Sequence, residues 1–174
     1  MTVGEMTAIS YTTIDSPVGR LMVAADDDAV RLIEFQLPGR SSAVDFRSEP
    51  RETALLRETR DQLGEYFAGC RRRFDLPLDP RGSPFQQRVW SALLEVPYGA
   101  TCSYMSIARR LGDPRATRAV GAANGRNPIP IIIPCHRVIG ADGTLTGYGG
   151  GLERKRYLLR LEGALYEGEL FAEE

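Results

Sequence analysis

The chain has 174 residues, of which 43% are hydrophobic and 26% are charged, and its formal net charge at pH 7 is −1. This size is sufficient for one compact unit or for a small domain beside a larger one. No uninterrupted apolar run approaches roughly 18 residues, and the N-terminus lacks the basic and apolar pattern of a secretory signal. We therefore expect a soluble, cytoplasmic protein without a membrane segment.

The first part of the chain has the pattern of a small antiparallel sheet followed by a helix. Hydrophobic alternation with a period of two predicts three short strands. They cover residues 10–14, 20–25 and 30–35. Thr53 is placed to cap a helix with one apolar side, and Gly69 is placed to end it.

A change of composition separates this part from the rest. Residues 74–76 have the pattern of a further short strand, and the Pro- and Gly-bearing residues 77–83 mark a boundary. We expect an N-terminal α/β domain in residues 1–80 and a C-terminal domain in residues 81–174. Nothing in the first domain suggests chemistry, so its expected role is structural.

The C-terminal part opens with a clear helix signal. The segment Ser83-Pro84-Phe85-Gln86 forms a capping box with proline at the first helical position. A short helix is predicted over residues 103–111, and Asp113-Pro114 opens another that runs to about Asn124. Two short helices joined by a tight, glycine-containing turn are typical of a helix-turn-helix.

The second of these helices is nearly bare. Small residues at Ala119, Gly121 and Ala122 leave Arg118 as its main large projecting side chain. A helix is about 10–12 Å across and the minor groove of DNA about 6 Å wide, so a bare helix is the kind that could approach a widened minor groove. Close packing against another helix also favours Ala and Gly, and both interpretations stay open here.

Residues 107–137 contain six arginines and a single acidic residue, Asp113. The arginines are Arg109, Arg110, Arg115, Arg118, Arg126 and Arg137. Local positive charge favours a polyanion, because each neutralised phosphate releases counterions. A solvated basic face is the alternative.

An apolar run, Ile131 to Ile133, leads into Pro134-Cys135-His136-Arg137, where a cysteine adjoins the only histidine of the chain. A thiolate is a strong nucleophile, and histidine accepts protons near neutral pH. Neighbouring residues in extended chain point to opposite faces, so we expect Cys135 and His136 to act through a water. An inert buried cysteine is the alternative, but the glycine-rich segment 147–151 that follows favours a prepared site.

The remaining cysteines, Cys70 and Cys102, bring the total to three, an odd number without metal-type spacing. This usage suits a reducing compartment. The first 80 residues contain Cys70 and no histidine, too few ligands for a tetrahedral zinc site. We expect neither a metal nor a cofactor.

The segment Pro134-Cys135-His136-Arg137-Val138 resembles the active-site signature of the O6-alkylguanine-DNA alkyltransferases, which transfer an alkyl group from a damaged base to their own cysteine. The resemblance runs from about Phe85 to Gly163 and is looser before residue 80. Its further motifs are Phe85 to Trp90, Pro97-Tyr98-Gly99, Ser103-Tyr104, Arg118 to Gly121, Asn127-Pro128, Thr146-Gly147-Tyr148 and Glu162-Gly163. It implies a ribonuclease-H-like α/β N-terminal domain and a mostly α C-terminal domain with a winged-helix-like helix-turn-helix.

The resemblance also implies catalytic roles. Cys135 would be the nucleophile, and His136 would act through a water, oriented by Glu162, whose carboxylate would favour the protonated imidazole. Asn127 would tie the turn after the recognition helix to the active-site strand. Tyr104 would help to rotate the target nucleotide and donate a proton to the base.

The implied substrate pocket comprises Val138, Tyr148, Gly149 and Gly150. Many relatives have Ser or Ala where Gly149 stands, which removes a hydroxyl contact and leaves the tolerance for larger alkyl groups open. The implied DNA-binding residues are Arg118, Ala119, Gly121, Ala122, Arg126 and Tyr104. Arg118 would fill the gap that a flipped nucleotide leaves in the stack.

These observations predict a suicidal DNA-repair methyltransferase that acts once on O6-alkylguanine in double-stranded DNA, with O4-alkylthymine as an alternative substrate that the sequence leaves open. We expect a monomer without an obligate protein partner. The alternatives are a module that only recognises alkylated DNA, a helix-turn-helix regulator with a structural cysteine, and a Cys-His hydrolase. Modules that only recognise alkylated DNA lack the cysteine that this chain has. A regulator would leave the Pro-Cys-His-Arg segment unexplained. A Cys-His hydrolase would need a direct ion pair between two adjacent residues, which is geometrically awkward.

Overall fold

The computed structural model describes residues 8–42 and 49–165. The chain forms two compact units, Met1–Pro80 and Arg81–Glu174. Within the described residues, no helix combines the length and the apolarity needed to cross a bilayer.

The described residues of the N-terminal unit form a four-stranded sheet and one helix. Its strands are β1 (Ser10–Ile14), β2 (Leu21–Ala25), β3 (Val30–Phe35) and β4 (Glu49–Pro50), and they lie in the order β3-β2-β1-β4. β1 pairs antiparallel with β2, and β2 with β3, as the alternation predicted. β4 pairs parallel with β1 and was not predicted, because two residues carry no periodicity.

Helix α1 (Ala54–Phe67) begins at the predicted cap, since the Thr53 side chain accepts a hydrogen bond from the Leu56 N–H at 3.2 Å. The predicted strand at residues 74–76 is wrong. The backbone of Asp75 instead bonds to the Gln62 side chain, which accepts its N–H at 2.8 Å and donates to its carbonyl at 3.0 Å. A side chain of α1 thus satisfies the groups that a strand partner would have taken.

The C-terminal unit contains four helices and a short two-stranded sheet among the described residues. The helices are α2 (Pro84–Leu94), α3 (Tyr104–Arg110), α4 (Thr117–Gly125) and α5 (Leu152–Leu161), and the strands are β5 (Cys102–Ser103) and β6 (Val138–Ile139). α2 begins with the complete Ser83–Gln86 capping box. Its buried Trp90 donates from Nε1 to the Ala123 carbonyl of α4 at 2.9 Å, which joins the two helices.

The helix predicted to open at Asp113-Pro114 begins differently. Pro114–Ala116 forms a 3₁₀ turn, closed by the Ala116 N–H bonding to the Asp113 carbonyl at 3.0 Å, and α4 starts only at Thr117. The small antiparallel sheet with a helix and the helical C-terminal unit confirm the predicted fold class.

Candidate active site

Cys135 lies on a sharply folded turn and is 4% exposed. The Cys135 N–H bonds to the Ile133 carbonyl at 2.8 Å across Pro134, whose φ of −82° and ψ of 63° are those of an inverse γ-turn. Residues Cys135–Arg137 then form a 3₁₀ turn. The expectation of extended chain at Cys135 and His136 is therefore wrong, because the proline turn reverses the chain just before the cysteine.

The backbone before the cysteine is strained. Ile131 has a φ of 75°, inside a turn that the Ile133 N–H closes onto the Ile129 carbonyl at 2.9 Å. A β-branched residue rarely adopts this left-handed conformation. Ile131 keeps it because its side chain is fully buried, as are those of Ile129 and Ile133.

Two asparagines connect α4 to this turn. Asn127 donates from Nδ2 to the Ile133 carbonyl at 2.8 Å and accepts the Ile129 N–H at 3.0 Å. Asn124, on the buried face of α4, donates to the carbonyl of Cys135 itself at 3.4 Å, while its Oδ1 has no hydrogen-bond partner within the described protein. The position of the cysteine thus depends on the helix expected to contact DNA.

His136, Arg137 and Glu162 form a buried polar cluster behind Cys135. The Glu162 Oε1 lies 2.7 Å from His136 Nε2 and accepts from Arg137 Nη2 at 2.9 Å, and its Oε2 accepts from Arg137 Nε at 2.8 Å. The side chains of His136 and Glu162 are fully buried. Each carboxylate oxygen therefore has a partner that replaces the water lost on burial.

These contacts define the protonation states. Burial by itself would raise the pKa of Glu162, but the hydrogen bonds from His136 and Arg137 outweigh it and lower the pKa to about 2. An ionised carboxylate only accepts, so His136 Nε2 carries the hydrogen and a neutral ring keeps a lone pair on Nδ1. That Nδ1 has no partner within the described protein.

Glu162 favours the protonated imidazole as expected, since its hydrogen bond and its charge both raise the pKa of His136, but the net shift of that pKa is downward. Burial lowers the pKa of His136 by more than its hydrogen bond and charge interaction with Glu162 raise it, and the charges of Arg137 and Lys155 lower it further. His136 is thus set to accept a proton rather than to hold one.

Lys155, the sole lysine of the chain, lies on the same buried face of α5 as Leu158 and Glu162. Its Nζ donates to the Val138 carbonyl at 2.6 Å and to the Thr146 carbonyl at 2.8 Å. Burial lowers the pKa of Lys155 to about 8. Burial also raises the pKa of the Cys135 thiol to about 11, while the Asn127 hydrogen bond and the Lys155 charge act to lower it.

Helix α4 has two faces of different character. Val120, Ala123 and Asn124 are buried, so close packing explains the small residue at 123. Arg118, Ala119, Ala122 and Arg126 are exposed. Helix packing does not account for small residues on an exposed face, so Ala119 and Ala122 favour the approach of a ligand to the backbone.

Tyr104 and Gly121 meet where α3 faces α4. A Cβ added at Gly121 would lie 3.8 Å from Cδ1 of Tyr104, an ordinary contact distance. The Tyr104 hydroxyl accepts a hydrogen bond from Thr146 Oγ1 at 3.1 Å. Because the Thr146 carbonyl also accepts from Lys155, Tyr104 is linked to the surroundings of Cys135.

The expected basic surface needs one correction. Arg137 is 7% exposed and faces Glu162, so it is part of the buried cluster and not of a DNA-facing surface. The other five arginines of residues 107–137 are exposed; Arg110 forms an ion pair with Glu95 at 3.4 Å, and Arg115 forms one with Asp113 at 3.6 Å. The chain pattern could not separate Arg137 from the others, because it shows charge and not burial.

The expected pocket residues follow the cysteine. Val138 and Gly150 are buried, and Tyr148 is half-buried. Gly149 is exposed, and a Cβ at this position would meet no atom within 4 Å. The backbone here therefore has room for the Ser or Ala expected in relatives.

Comparison with known proteins gives a concordant result over both units. Residues 84–164 match the model described as 6-O-methylguanine DNA methyltransferase, DNA binding domain, and residues 9–80 match that family's ribonuclease-like domain. The chain belongs to the 6-O-methylguanine DNA methyltransferase family. Each of the two matches lies within one of the chain's two compact units.

Curated relatives and solved structures agree with this assignment. The methylated-DNA–protein-cysteine methyltransferase of Mycolicibacterium paratuberculosis is 51% identical over 160 residues, which cover 88% of this chain and 92% of the relative. The crystal structure of Mycobacterium tuberculosis O6-methylguanine methyltransferase is 51% identical with a TM-score of 0.83, covering 90% of this chain and 93% of the other. The M. tuberculosis protein in complex with DNA is 52% identical with a TM-score of 0.82, covering 89% and 93%.

In this family member, the structure brings together Cys135, His136, Asn127 and Glu162 as one site, with Tyr104 linked through Thr146. Sequence reasoning missed Lys155, Asn124 and the buried position of Arg137. A signal for Lys155 was present, since a single lysine among many arginines stands seven residues before Glu162, on the same helical face.

Proposed function

We propose that this protein repairs alkylated DNA by transferring the alkyl group from O6 of guanine to Cys135 in a single turnover. One observation supports this most directly. Cys135 is buried beside a histidine whose Nε2 donates to Glu162, so that Nδ1 is available as a base. A buried thiol next to a basic nitrogen suits attack on a substrate that enters a closed pocket and excludes bulk water.

The reaction exchanges one bond for another. The thiol proton of Cys135 passes through a water to Nδ1 of His136, and Sγ attacks the alkyl carbon in line with the C–O6 bond. That bond breaks, and its electron pair stays on the base, which takes a proton from Tyr104 and leaves as neutral guanine. Tyr104 regains a proton from solvent, and His136 releases one to it.

Lys155 supports the charged stage of this reaction. Its ammonium group lies close enough to Cys135 to favour the thiolate, and two backbone carbonyls fix its position. An opposite charge within a few ångströms stabilises the ionised form of a group, and burial strengthens the effect. Asn127 adds a hydrogen bond that also lowers the thiol pKa.

DNA binds through the exposed face of α4. Ala119, Gly121 and Ala122 let the helix backbone approach the minor groove, and Arg126 contacts phosphates. Arg118 enters the stack in place of the flipped nucleotide, while Tyr104 aids the rotation. The N-terminal unit serves as a structural domain.

The remaining assignments concern the state of the protein. It acts as a monomer on alkylated double-stranded DNA, because a single chain supplies every residue of the proposed site. It works in the cytoplasm, where the reducing environment keeps Cys135 a thiol. Neither a metal nor a cofactor takes part, since the thiol is the acceptor of the alkyl group.

The decisive measurement is intact mass after incubation with duplex DNA that contains O6-methylguanine. We expect a gain of one methyl group, about 14 Da, located at Cys135, and no more than one transfer per molecule because a thioether is a poor leaving group. Cys135→Ala should abolish transfer while keeping DNA binding. Cys70→Ala and Cys102→Ala are matched controls that should react normally, and many turnovers per molecule would contradict the proposal.

A further inference from the structure

Arg137 has no part in the reaction described above, yet its side chain makes three hydrogen bonds in the buried cluster next to Cys135. Its Nε and Nη2 donate to the two oxygens of Glu162 at 2.8 and 2.9 Å, and its Nη1 donates to the Val96 carbonyl at 2.6 Å. Its guanidinium carbon also lies 5.8 Å from the centre of the Tyr98 ring. A side chain held from three directions is fixed more firmly than an ion pair alone requires.

We infer that Arg137 is a positioning residue that keeps His136 an uncharged base by sharing the carboxylate of Glu162. The inference rests on the proposed alkyl transfer, in which His136 must take up the thiol proton. It assigns Arg137 no contact with substrate. Its effect is exerted through Glu162 alone.

The charge balance of the cluster supports this inference. The groups that face His136 are Glu162 and Lys155 from α5, and Cys135 and Arg137 from its own turn. With Glu162 ionised and Arg137 permanently charged, their charges cancel while His136 is neutral. Protonating His136 would then leave the buried cluster with an uncompensated positive charge, which is costly in a low dielectric.

Without Arg137 the charge of Glu162, which raises the pKa of His136, would act without an opposing guanidinium. Glu162 would then bond to His136 without a competing Arg137, and a buried Glu–imidazolium pair would be favoured. His136 would then hold its proton before the substrate arrived. The planar guanidinium suits this position, because it donates to both carboxylate oxygens and to the Val96 carbonyl from separate nitrogens, whereas a lysine offers one compact ammonium group.

The test uses the fact that His136 is the only histidine of the chain. In ¹⁵N-labelled full-length protein, imidazole nitrogen shifts report its tautomer and charge without assignment. We expect wild-type His136 to be neutral at pH 7 with the hydrogen on Nε2. In Arg137→Met the midpoint of His136 protonation should rise by about 1–3 pH units, and Arg137→Lys should fall between the two.

Arg160→Met is the matched control, because it removes an exposed guanidinium two residues from Glu162 that forms no hydrogen bond to the Glu162 carboxylate, and the backbone bond between the two residues does not depend on the Arg160 side chain. This variant should titrate like the wild type. A charged His136 in the wild type at pH 7 would overturn the inference even if Arg137→Met failed to fold. If Arg137→Met folds, equal midpoints of His136 protonation in the wild type, Arg137→Lys and Arg137→Met would also overturn the inference.

The rate of transfer gives a second readout that a merely structural role would not move. Wild type should keep its rate as the pH falls from 8 towards 6, whereas Arg137→Met should lose about tenfold for each unit below its raised midpoint. Both should converge at high pH, where His136 is neutral in either protein. Failure of the wild type to transfer any alkyl group would refute the proposed function instead, while leaving the histidine measurement to decide the role of Arg137.

Discussion

Each unit of the protein contains an arginine bound to a buried carboxylate, and the two clusters serve different ends. In the N-terminal unit, Arg31 binds Asp26 and Asp79, and Asp26 Oδ1 also accepts the N–H groups of Asp28 and Ala29, each at 2.9 Å. This closes the turn between β2 and β3. In the C-terminal unit, Arg137 shares Glu162 with His136, a group that can exchange a proton near neutral pH.

The two clusters differ in whether the buried polar atoms next to them all have hydrogen-bond partners. Hydrogen bonds from two backbone N–H groups and Arg31 lower the pKa of Asp26 against the opposing effect of burial, so all its partners stabilise one state. Next to Cys135, His136 Nδ1 and Asn124 Oδ1 are buried without a partner in the described protein. The same ion pair thus fixes a turn in one unit and prepares a base in the other.

Replacing the carboxylate of each cluster by an amide should separate effects on the free energy of unfolding from effects on the rate of alkyl transfer. Glu162→Gln leaves Arg137 buried beside an amide, and we expect a loss of about 3–5 kcal/mol in the free energy of unfolding and at least a hundredfold slower transfer. Asp26→Asn keeps its Oδ1 bonds and Arg31 keeps Asp79, so the loss should be about 1–3 kcal/mol. Its transfer rate per folded molecule should equal that of the wild type.

Chemical denaturation and single-turnover kinetics on the same preparations measure both quantities. A slow Asp26→Asn at full folding, or a fast Glu162→Gln, would remove the distinction between the two clusters.

An exposed arginine sharpens the comparison. Within the described residues, Arg118 makes no side-chain hydrogen bond or ion pair, so its removal should not affect folding. If it fills the vacated stack, Arg118→Ala should cost about 1–3 kcal/mol with duplex O6-methylguanine and almost nothing with free O6-benzylguanine. Arg115→Ala, an exposed neighbour in the 3₁₀ turn, should slow neither reaction markedly. Equal slowing of both substrates by Arg118→Ala would mean that Arg118 supports the pocket.

Acidification should affect the two units in different pH ranges. The pKa of His136 is lowered on folding, so the unfolded chain binds more protons and stability falls as the pH drops below about 6.5. Glu162 adds a second loss between its ordinary value of 4.5 and about 2. Residues 1–80 contain no histidine, and the lowered pKa of Asp26 matters only below about 3.8. Amide exchange at pH 7.5 and 5.5 should therefore show weaker protection in the C-terminal unit only, and uniform weakening would count against this account.

The sequence predicted much of this molecule wherever local rules decide the outcome. The capping box at Ser83, the cap at Thr53 and the glycine at residue 112 determined helix ends that depend on the adjacent backbone alone. Prediction failed where a distant partner decided. The Gln62 side chain bonds to the backbone of Asp75, and the two residues of β4 pair with the edge of the sheet at β1.

The candidate site shows the same division. Cys135 and His136 are adjacent in sequence and were found directly, and the family resemblance supplied Glu162. The burial of Arg137 and the position of Lys155 depend on the packing of α5 against the turn, which no local pattern encodes. The net direction of the His136 pKa was not predicted for the same reason, since it follows chiefly from the burial of the ring, which tertiary packing determines.

The left-handed Ile131 makes the position of Cys135 depend on the hydrophobic core. That conformation costs about 1–2 kcal/mol in an L-residue, but replacing the side chain by glycine would remove a fully buried isoleucine, whose loss costs about 2–5 kcal/mol. Relieving the strain at residue 131 by a glycine is therefore unfavourable while the core stays packed. Substitutions that loosen this core should shift the cysteine before they unfold the protein, so that a stable variant can have lost its alignment for attack.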